Sequence, residues 1–384
     1  MMLLLAAALA LQAAHPAAGR PIPPGTTFYA APVRAADHEA VILTSRSHSS
    51  GGELRWTIVR SGRWLREGND AAATYSDFES GTSISFVRDG SGRYLSLSIA
   101  RPATSDTYSR YRRERTGGRD RALGEACEIW RMVRVNSEPY DVEVLSCETR
   151  DGIQLWTRTQ SRDTRQVVAE TRTLSFRRRP VRRSEVLPPA DLLRWAYWRD
   201  LPPLGDAPPT PSAPLDYDLR LAAAGEHGAE RSRIMRRRGP WTYLESVRRE
   251  GFRSVTLDNG IVFLSYEAEV DGRPVRLALH RVPAGQLRAS QAAAYVRVDP
   301  PASEQVIGET CFWSGHDPQM LVTSGSNRFC LTADGLPLRV TSFHRFWLVN
   351  LTAIALSRDR PPLAAMMPPR GAFDWARWGI RPAG

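Results

Sequence analysis

Residues Cys147 to Leu155 read CETRDGIQL, and residues Cys330 to Leu338 read CLTADGLPL. Both follow Cys-x-Thr-x-Asp-Gly-(Ile/Leu)-x-Leu. An Asp-Gly pair flanked by alternating apolar residues is a strong signal for a two-residue turn between antiparallel strands. One such hairpin predicts a piece of sheet. The same hairpin repeated 183 residues later predicts a duplicated domain.

The correspondence extends outward in both directions. Gly-Glu-x-Cys precedes each hairpin, as GEAC at Gly124–Cys127 and GETC at Gly308–Cys311. Downstream, TLSFRRRP (Thr173–Pro180) resembles AIALSRDR (Ala353–Arg360). PPADLLRWAYW (Pro188–Trp198) then matches PPRGAFDWARW (Pro368–Trp378), both at an offset of 180 residues. Upstream, IVRSGRWLRE (Ile58–Glu67) lies against IMRRRGPWTYLE (Ile234–Glu245), which sets Trp64 opposite Trp241. Between the copies runs LPPLGDAPPTPSAPLD, with six prolines from Pro202 to Pro214. Proline at that density excludes helix and central strand and makes a semi-rigid spacer. The expected organisation is a signal peptide at 1–19, a first β-rich domain at 20–199, a Pro-rich linker at 200–214 and a second β-rich domain at 215–384.

Within each copy the dominant period is two. Glu53–Arg60, Ile84–Asp89, Arg93–Ala100, Cys127–Val135, Tyr140–Cys147 and Ile153–Gln160 alternate apolar with polar residues, as do Val275–Val282 and Ala294–Pro300. Strands of this kind bury one face and wet the other, as in antiparallel sheets. Helical candidates are few: Ala190–Trp198, Ala372–Trp378 and Gln286–Tyr295. The expected fold class is mainly β (α+β), as two tandem homologous domains. Each is a curved antiparallel sheet or half-barrel with a few short helices.

The N-terminus, MMLLLAAALALQAAHPAAGR, has an apolar run from Leu3 to Ala14 followed by small residues. It is too short to span a membrane, which takes about 20 residues, but suits a signal-peptide core, although no Arg or Lys precedes it. The expected location is therefore periplasmic, without a transmembrane segment. Export makes the four cysteines informative, since they fall into two close pairs within matching sequence. Of three possible pairings, the local bridges Cys127–Cys147 and Cys311–Cys330 are favoured. Zinc would need closer Cys spacing with histidines nearby, so no metal and no cofactor is expected.

All 52 basic residues are arginine and the net charge is +11. Clusters stand at Arg110–Arg121, Arg177–Arg183 and Arg231–Arg238. Outside the cytoplasm, and with no nucleic-acid module in the sequence, nucleic acid is not an expected partner. An anionic envelope surface is, against the simpler reading of solvated arginines on sheet faces. Eleven tryptophans are present. Trp64 with Trp241, Trp195 with Trp375, and Trp198 with Trp378 occupy matching positions. They are candidates for lining an apolar ligand cavity, against the reading that they are plain core.

Catalytic signals are poor. The histidines share no positions between the copies, and Ser314, His316 and Asp317 in CFWSGHDPQ crowd together without a nucleophile elbow. Glu125 with Glu309, and Asp151 with Asp334, are duplicated acids, but turn chemistry accounts for the aspartates. No catalytic residue is assigned.

An exported unit of about 170 residues, mostly antiparallel strands with few helices, resembles the periplasmic lipoprotein-carrier superfamily. That superfamily includes the LolA and LolB carriers, related mycobacterial lipoproteins and the N-terminal domain of RseB. The resemblance covers each unit and rests on architecture and exported context. It implies an incomplete barrel curled around helices, with an apolar cavity for acyl chains. The disulfide-flanked hairpin and the terminal Trp-Ala-x-Trp depart from that family, so no site residue is carried over. The sequence thus points first to a periplasmic, non-enzymatic binding protein for an apolar or acylated ligand, with a lipid or lipoprotein as partner. A protein-interaction or regulatory module in envelope homeostasis comes second, and a hydrolase using Glu309 or His316 third.

Overall fold

A computed structural model of the protein describes residues 34–46, 54–101, 111–134, 142–161, 163–199, 216–223, 230–281, 295–297, 303–316, 326–344 and 347–382. The expected signal peptide and Pro-rich linker lie outside these residues. The described chain is mainly β and antiparallel, with very few helices. It divides into two compact units: Met1–Leu192 with Gly379–Gly384, and Leu193–Trp378.

The first unit carries β1 (Ala35–Arg46), β2 (Leu54–Gly62), β3 (Trp64–Gly68), β4 (Ala72–Asp77), β5 (Thr82–Arg88) and β6 (Tyr94–Ala100). It continues with β7 (Tyr111–Ala122), β8 (Glu125–Arg134), β9 (Val142–Glu148), β10 (Gln154–Ser161) and β11 (Val167–Arg178). Strands β1 to β6 form one meander and β7 to β11 another. Pairing of β1 with β11 joins them in the order β7-β8-β9-β10-β11-β1-β2-β3-β4-β5-β6. After β11 come α1 (Arg183–Val186) and a 3-10 turn, Ala190–Leu193.

The second unit opens with α2 (Trp195–Arg199). Then follow β12 (Tyr217–Ala223), β13 (Glu230–Arg238), β14 (Trp241–Arg248), β15 (Phe252–Asp258), β16 (Val262–Glu269) and β17 (Pro274–Arg281). Its other strands are β18 (Tyr295–Arg297), β19 (Ser303–Val306), β20 (Glu309–His316), β21 (Ser326–Leu331), β22 (Pro337–His344) and β23 (Trp347–Ser357). Here β12 pairs with β23, joining the meander β12 to β17 to the run β20 to β23, while β18 and β19 both pair with β20. The 3-10 turns Leu363–Met366 and Arg370–Phe373 follow.

Period two decides which face is core. In the first unit Tyr75, Ile84, Phe86, Leu97 and Ile99 are buried, while Thr74, Ser85 and Ser98 point to the other face. In the second, Tyr243, Val255, Leu257, Leu264, Tyr266, Leu277 and Leu279 do the same. Each unit has a bulge at the joining pair. Ser175 and Thr173 oppose Val41 and Ile42, which leaves Leu174 extra; Ala355 and Ala353 oppose Arg220 and Leu221, which leaves Ile354 extra.

Two expectations need correction. The Asp-Gly hairpins are not two-residue turns: Thr149 closes a three-residue loop onto Ile153, with Gly152 at φ +84°. The Thr149 hydroxyl accepts the Ile153 N–H and donates to Asp151, giving each residue of the pattern a role. Thr332, Asp334, Gly335 and Leu336 repeat the arrangement. Second, Ala190–Trp198 is a 3-10 turn followed by the five-residue α2. The Ala372–Trp378 helix is absent, replaced by a 3-10 turn ending at Phe373 and further turns. Asp374 is extended (φ −114°, ψ 106°) and Gly379 takes φ +72°, so that stretch holds no run long enough for a helical nucleus to propagate. The remaining helical candidate, Gln286–Tyr295, lies outside the described residues except for Tyr295, which begins a strand.

Candidate functional site

The segment that follows each proline pair places its tryptophans differently. Trp198 and Trp378 are fully buried, and the Trp378 indole N–H donates to the Ala372 carbonyl at 3.2 Å. Trp64 is buried where β3 begins, after the positive-φ Gly62. Trp375 is half-buried. Trp195 and Trp241 meet within the second unit: their ring centroids lie 6.2 Å apart, edge-on, and Phe373 stands 5.2 Å from Trp195. Trp241 reaches this place because Gly239 and Pro240 turn β13 into β14 in two residues, Gly239 taking φ +55°. All three rings are half-buried, and the Trp195 indole N–H is buried with no acceptor among the described residues. An unmet buried donor costs about 1–3 kcal/mol. The cluster therefore offers apolar ring surface and one hydrogen bond waiting for an acceptor.

The duplicated acids are engaged elsewhere. Arg178, at the end of β11, donates to Asp151 at 2.7 Å and to Glu125 at 2.9 Å. In the second unit Arg358 bridges Asp334 and Glu309 in the same way. The Arg178 hydrogen bond holds the Asp151 carboxyl at about 2. Burial pushes Asp334 up, but bonds from Arg358 and Thr332 outweigh it and keep Asp334 below its ordinary value. These pairs fasten the hairpin turn to the strand that carries the first cysteine. Both disulfides are formed: Cys127 with Cys147 across β8 and β9, and Cys311 with Cys330 across β20 and β21, with Cα atoms 5.4 and 5.2 Å apart. Each sits in a buried apolar cluster, the first with Ile153, Leu155 and Trp156, the second with Leu338, Val340 and Leu351.

Ser314 is buried on β20, while the His316 side chain and Asp317 lie outside the described residues. Among the described residues no group of His, Cys, Asp and Glu is placed to hold a metal ion. No helix among them is long and apolar enough to cross a membrane. The Arg231–Arg238 cluster is largely internal to the second unit: Arg233 pairs with Glu230, Arg236 with Asp218 and the Ala365 carbonyl, and Arg238 with the Pro361 carbonyl.

Two features escaped the sequence reading. Leu123-Gly124 and Ile307-Gly308 form the tips of the β7–β8 and β19–β20 hairpins, with Leu123 and Ile307 both at φ +48° and 48% and 43% exposed. A branched residue at positive φ is a conformational outlier with a cost of about 1–2 kcal/mol. The other feature is Glu67 on β3, opposite Ile58 and Thr74. Its carboxyl has no hydrogen-bond or ion-pair partner among the described residues, and burial pushes it up to about 8. Counted from Gly62 and Gly239, the hairpin register of the second unit sets Leu244 in that place.

No protein-family model matches the chain, and no curated protein matches its sequence. Solved structures with some likeness include MucB in complex with MucA(peri), 13% identical, covering 66% of this chain and 90% of that one at a TM-score of 0.25. The Pseudomonas aeruginosa MucA/MucB complex is also 13% identical, covering 66% and 91% at 0.26. PNGF-II is 9% identical, covering 66% and 65% at 0.27. Likenesses this slight assign the chain to no family.

Proposed function

We propose that the chain is an exported, non-enzymatic binding protein for an apolar or acylated ligand, built from two copies of one β-rich domain in tandem. Duplication is supported by the equivalent bulges at Leu174 and Ile354, the two Arg-acid-acid bridges and the two disulfides. The observation that carries the ligand reading is the orphaned Trp195 N–H within the Trp195, Trp241 and Phe373 cluster. An acyl chain would lie on the rings, and its carbonyl or carboxylate oxygen would accept the N–H. Competition with a fluorescent fatty acid, using lauric acid and methyl laurate, tests this. Trp241→Ala is expected to weaken both at least about tenfold by removing ring surface. Trp195→Phe, which keeps a ring but loses the donor, is expected to weaken them about fivefold. Failure of the wild type to bind the probe, or unchanged binding by Trp195→Phe, sinks the assignment.

A second reading, a protein-interaction module in the envelope, is favoured by the exposed apolar tips Leu123 and Ile307. Strain retained at an exposed position in both halves has no packing benefit to offset it. Partner capture abolished by Leu123→Asn with Ile307→Asn, alongside unchanged fatty-acid binding, would select that reading.

A further inference from the structure

The end of β11 and the turn after it border an open cleft of about 600 Å³ lined by Arg177, Arg179, Pro180, Val181, Arg182, Ser184 and Glu185. Three of these are arginines. The carboxylates in reach are Asp37, Glu39 and Glu185: Asp37 accepts the Val181 N–H at 3.2 Å, and Arg179 engages Glu39 and Glu185. Its Nε donates to Glu39 at 2.9 Å, and its two terminal nitrogens donate to the two oxygens of Glu185 at 3.2 and 2.6 Å. Hydrogen bonding by Arg179 holds Glu185 at about 2 and lowers Glu39, so both acids stay ionised under ordinary conditions. Arg177 makes one bond, to Glu39 at 3.1 Å, from a side chain that is 71% exposed. Arg182 meets Glu185 through its backbone N–H, at 2.8 Å, while its exposed guanidinium makes no ion pair among the described residues. Arg177, Arg182 and Ser184 therefore keep donors to spare at the lining.

The same chain contains a control for whether the fold needs these charges. Residues 183–186 and 363–366 each form one short helical turn ahead of a proline pair, and residues 190–193 and 370–373 each form a 3-10 turn after it. At the offset of 180 residues, Arg177, Arg179, Arg182, Ser184 and Glu185 stand opposite Ser357, Asp359, Pro362, Ala364 and Ala365. The backbone course is built there without this charge set. There Arg236 and Arg238 fasten the turn through the Ala365 and Pro361 carbonyls, as Arg179 fastens the first through Pro180 and Glu185, which leaves Arg177 and Arg182 without a fastening task on the turn.

We infer that this cleft binds a phosphoryl group, as a phosphate monoester or a phospholipid headgroup. Arg177 and Arg182 offer forked donors suited to phosphate oxygens, Ser184 offers a hydroxyl, and Arg179 stays fixed by its two carboxylates as a positioning residue. A carboxylate, with two oxygens in one plane, would leave part of this donor set unmet; a tetrahedral phosphate presents three or more oxygens to it. This inference is independent of the acyl-binding reading, because it concerns the first unit and other residues.

Titration calorimetry of the full chain at low salt with inorganic phosphate and with glycerol 3-phosphate measures the soluble arm. Sedimentation with phosphatidylglycerol against phosphatidylcholine vesicles measures the lipid arm. Arg182→Gln is expected to weaken the arm that binds by about tenfold, and Arg177→Gln with Arg182→Gln further, with melting temperature unchanged. Arg220→Gln, an exposed arginine on β12, serves as the charge control and should change neither arm. Equal losses in Arg220→Gln and Arg182→Gln would show diffuse charge attraction and overturn the site. Failure of all three phosphate probes to bind would overturn it as well.

Discussion

Glu67 offers a test in which one carboxyl sets the pH dependence of stability. In the unfolded chain its ordinary value is 4.5, and in the fold burial raises it to about 8. Below 4.5 the group is protonated in both states and stability is unaffected. Between 4.5 and 8 the unfolded chain ionises and the folded one does not, so stability falls as pH rises through that window. Displacing a titration by one pH unit is worth about 1.4 kcal/mol, which bounds the full effect near about 5 kcal/mol. The side chain is half-buried, so water screens part of the charge and about 2 kcal/mol is the working figure. In a unit of this size that is a fall of about 4–8 °C in melting temperature. Thermal melts at pH 5 and pH 9 on wild type and Glu67→Gln supply the measurement. Gln keeps the shape without the charge, so its melts should lack this component, and subtraction cancels the titrations common to both proteins. Parallel curves for the two proteins would refute the reasoning. The Leu244 counterpart makes a sharper version: Glu67→Leu should fold, and should gain stability most clearly at pH 9.

Reduction of either disulfide should cost about 3 kcal/mol for a loop of this length, and Cys127→Ala with Cys147→Ala should lower stability with Cys311–Cys330 still intact in non-reducing mass analysis. Arg178→Gln should cost about 1 kcal/mol at pH 7, a modest figure because the bridge is partly exposed. Asp151 is depressed from 3.8 to about 2, so its contribution is present above pH 3.8 and lost as pH falls through 2. Urea melts of wild type and Arg178→Gln should therefore draw together as pH falls from 4 to 2, and a gap that stays undiminished over that range would contradict the assignment.

The hairpin pattern was legible because each of its residues has a local task that sequence displays. Thr149 caps the loop, Asp151 receives its hydroxyl, and Gly152 supplies the positive φ. The loop length was misread because Asp-Gly serves a two-residue turn and a three-residue loop equally well. Leu123-Gly124 passed unnoticed for the opposite reason: leucine and isoleucine are poor residues for positive φ, so nothing in LGE or IGE announces a turn tip. The spacing of three between tryptophans fits an α-turn, which Trp195–Arg199 takes, whereas the second copy returns Trp378 to the core through a 3-10 turn and further turns, since packing accepts either. Of the candidate ligand residues, sequence could nominate Trp195 and Trp241 by their pairing with other tryptophans. Their meeting with each other, and with Phe373, depends on tertiary placement that no local pattern encodes.

On the proposal that the halves are copies, each position carries its own comparison, and this separates fold from function more sharply than residue type does. Arg178 and Arg358 look like surface charges, yet both halves bridge the same two acids with them, so they belong to the architecture. Glu67 looks like an ordinary strand residue, yet Leu244 fills the equivalent place, and the carboxyl there raises the energy of the fold at neutral pH without a compensating partner among the described residues. Arg177, Arg179, Arg182 and Glu185 form a network that resembles structural salt bridging, yet a turn of the same course stands at 363–366 with Ser357, Asp359, Pro362 and Ala365 in their places. Arg236 and Arg238 fasten that turn and Arg179 fastens its counterpart, so Arg177 and Arg182 are the charges the turn itself does not use. The first unit is accordingly where loss of function without loss of stability should be sought, at Arg177 and Arg182 before any buried residue.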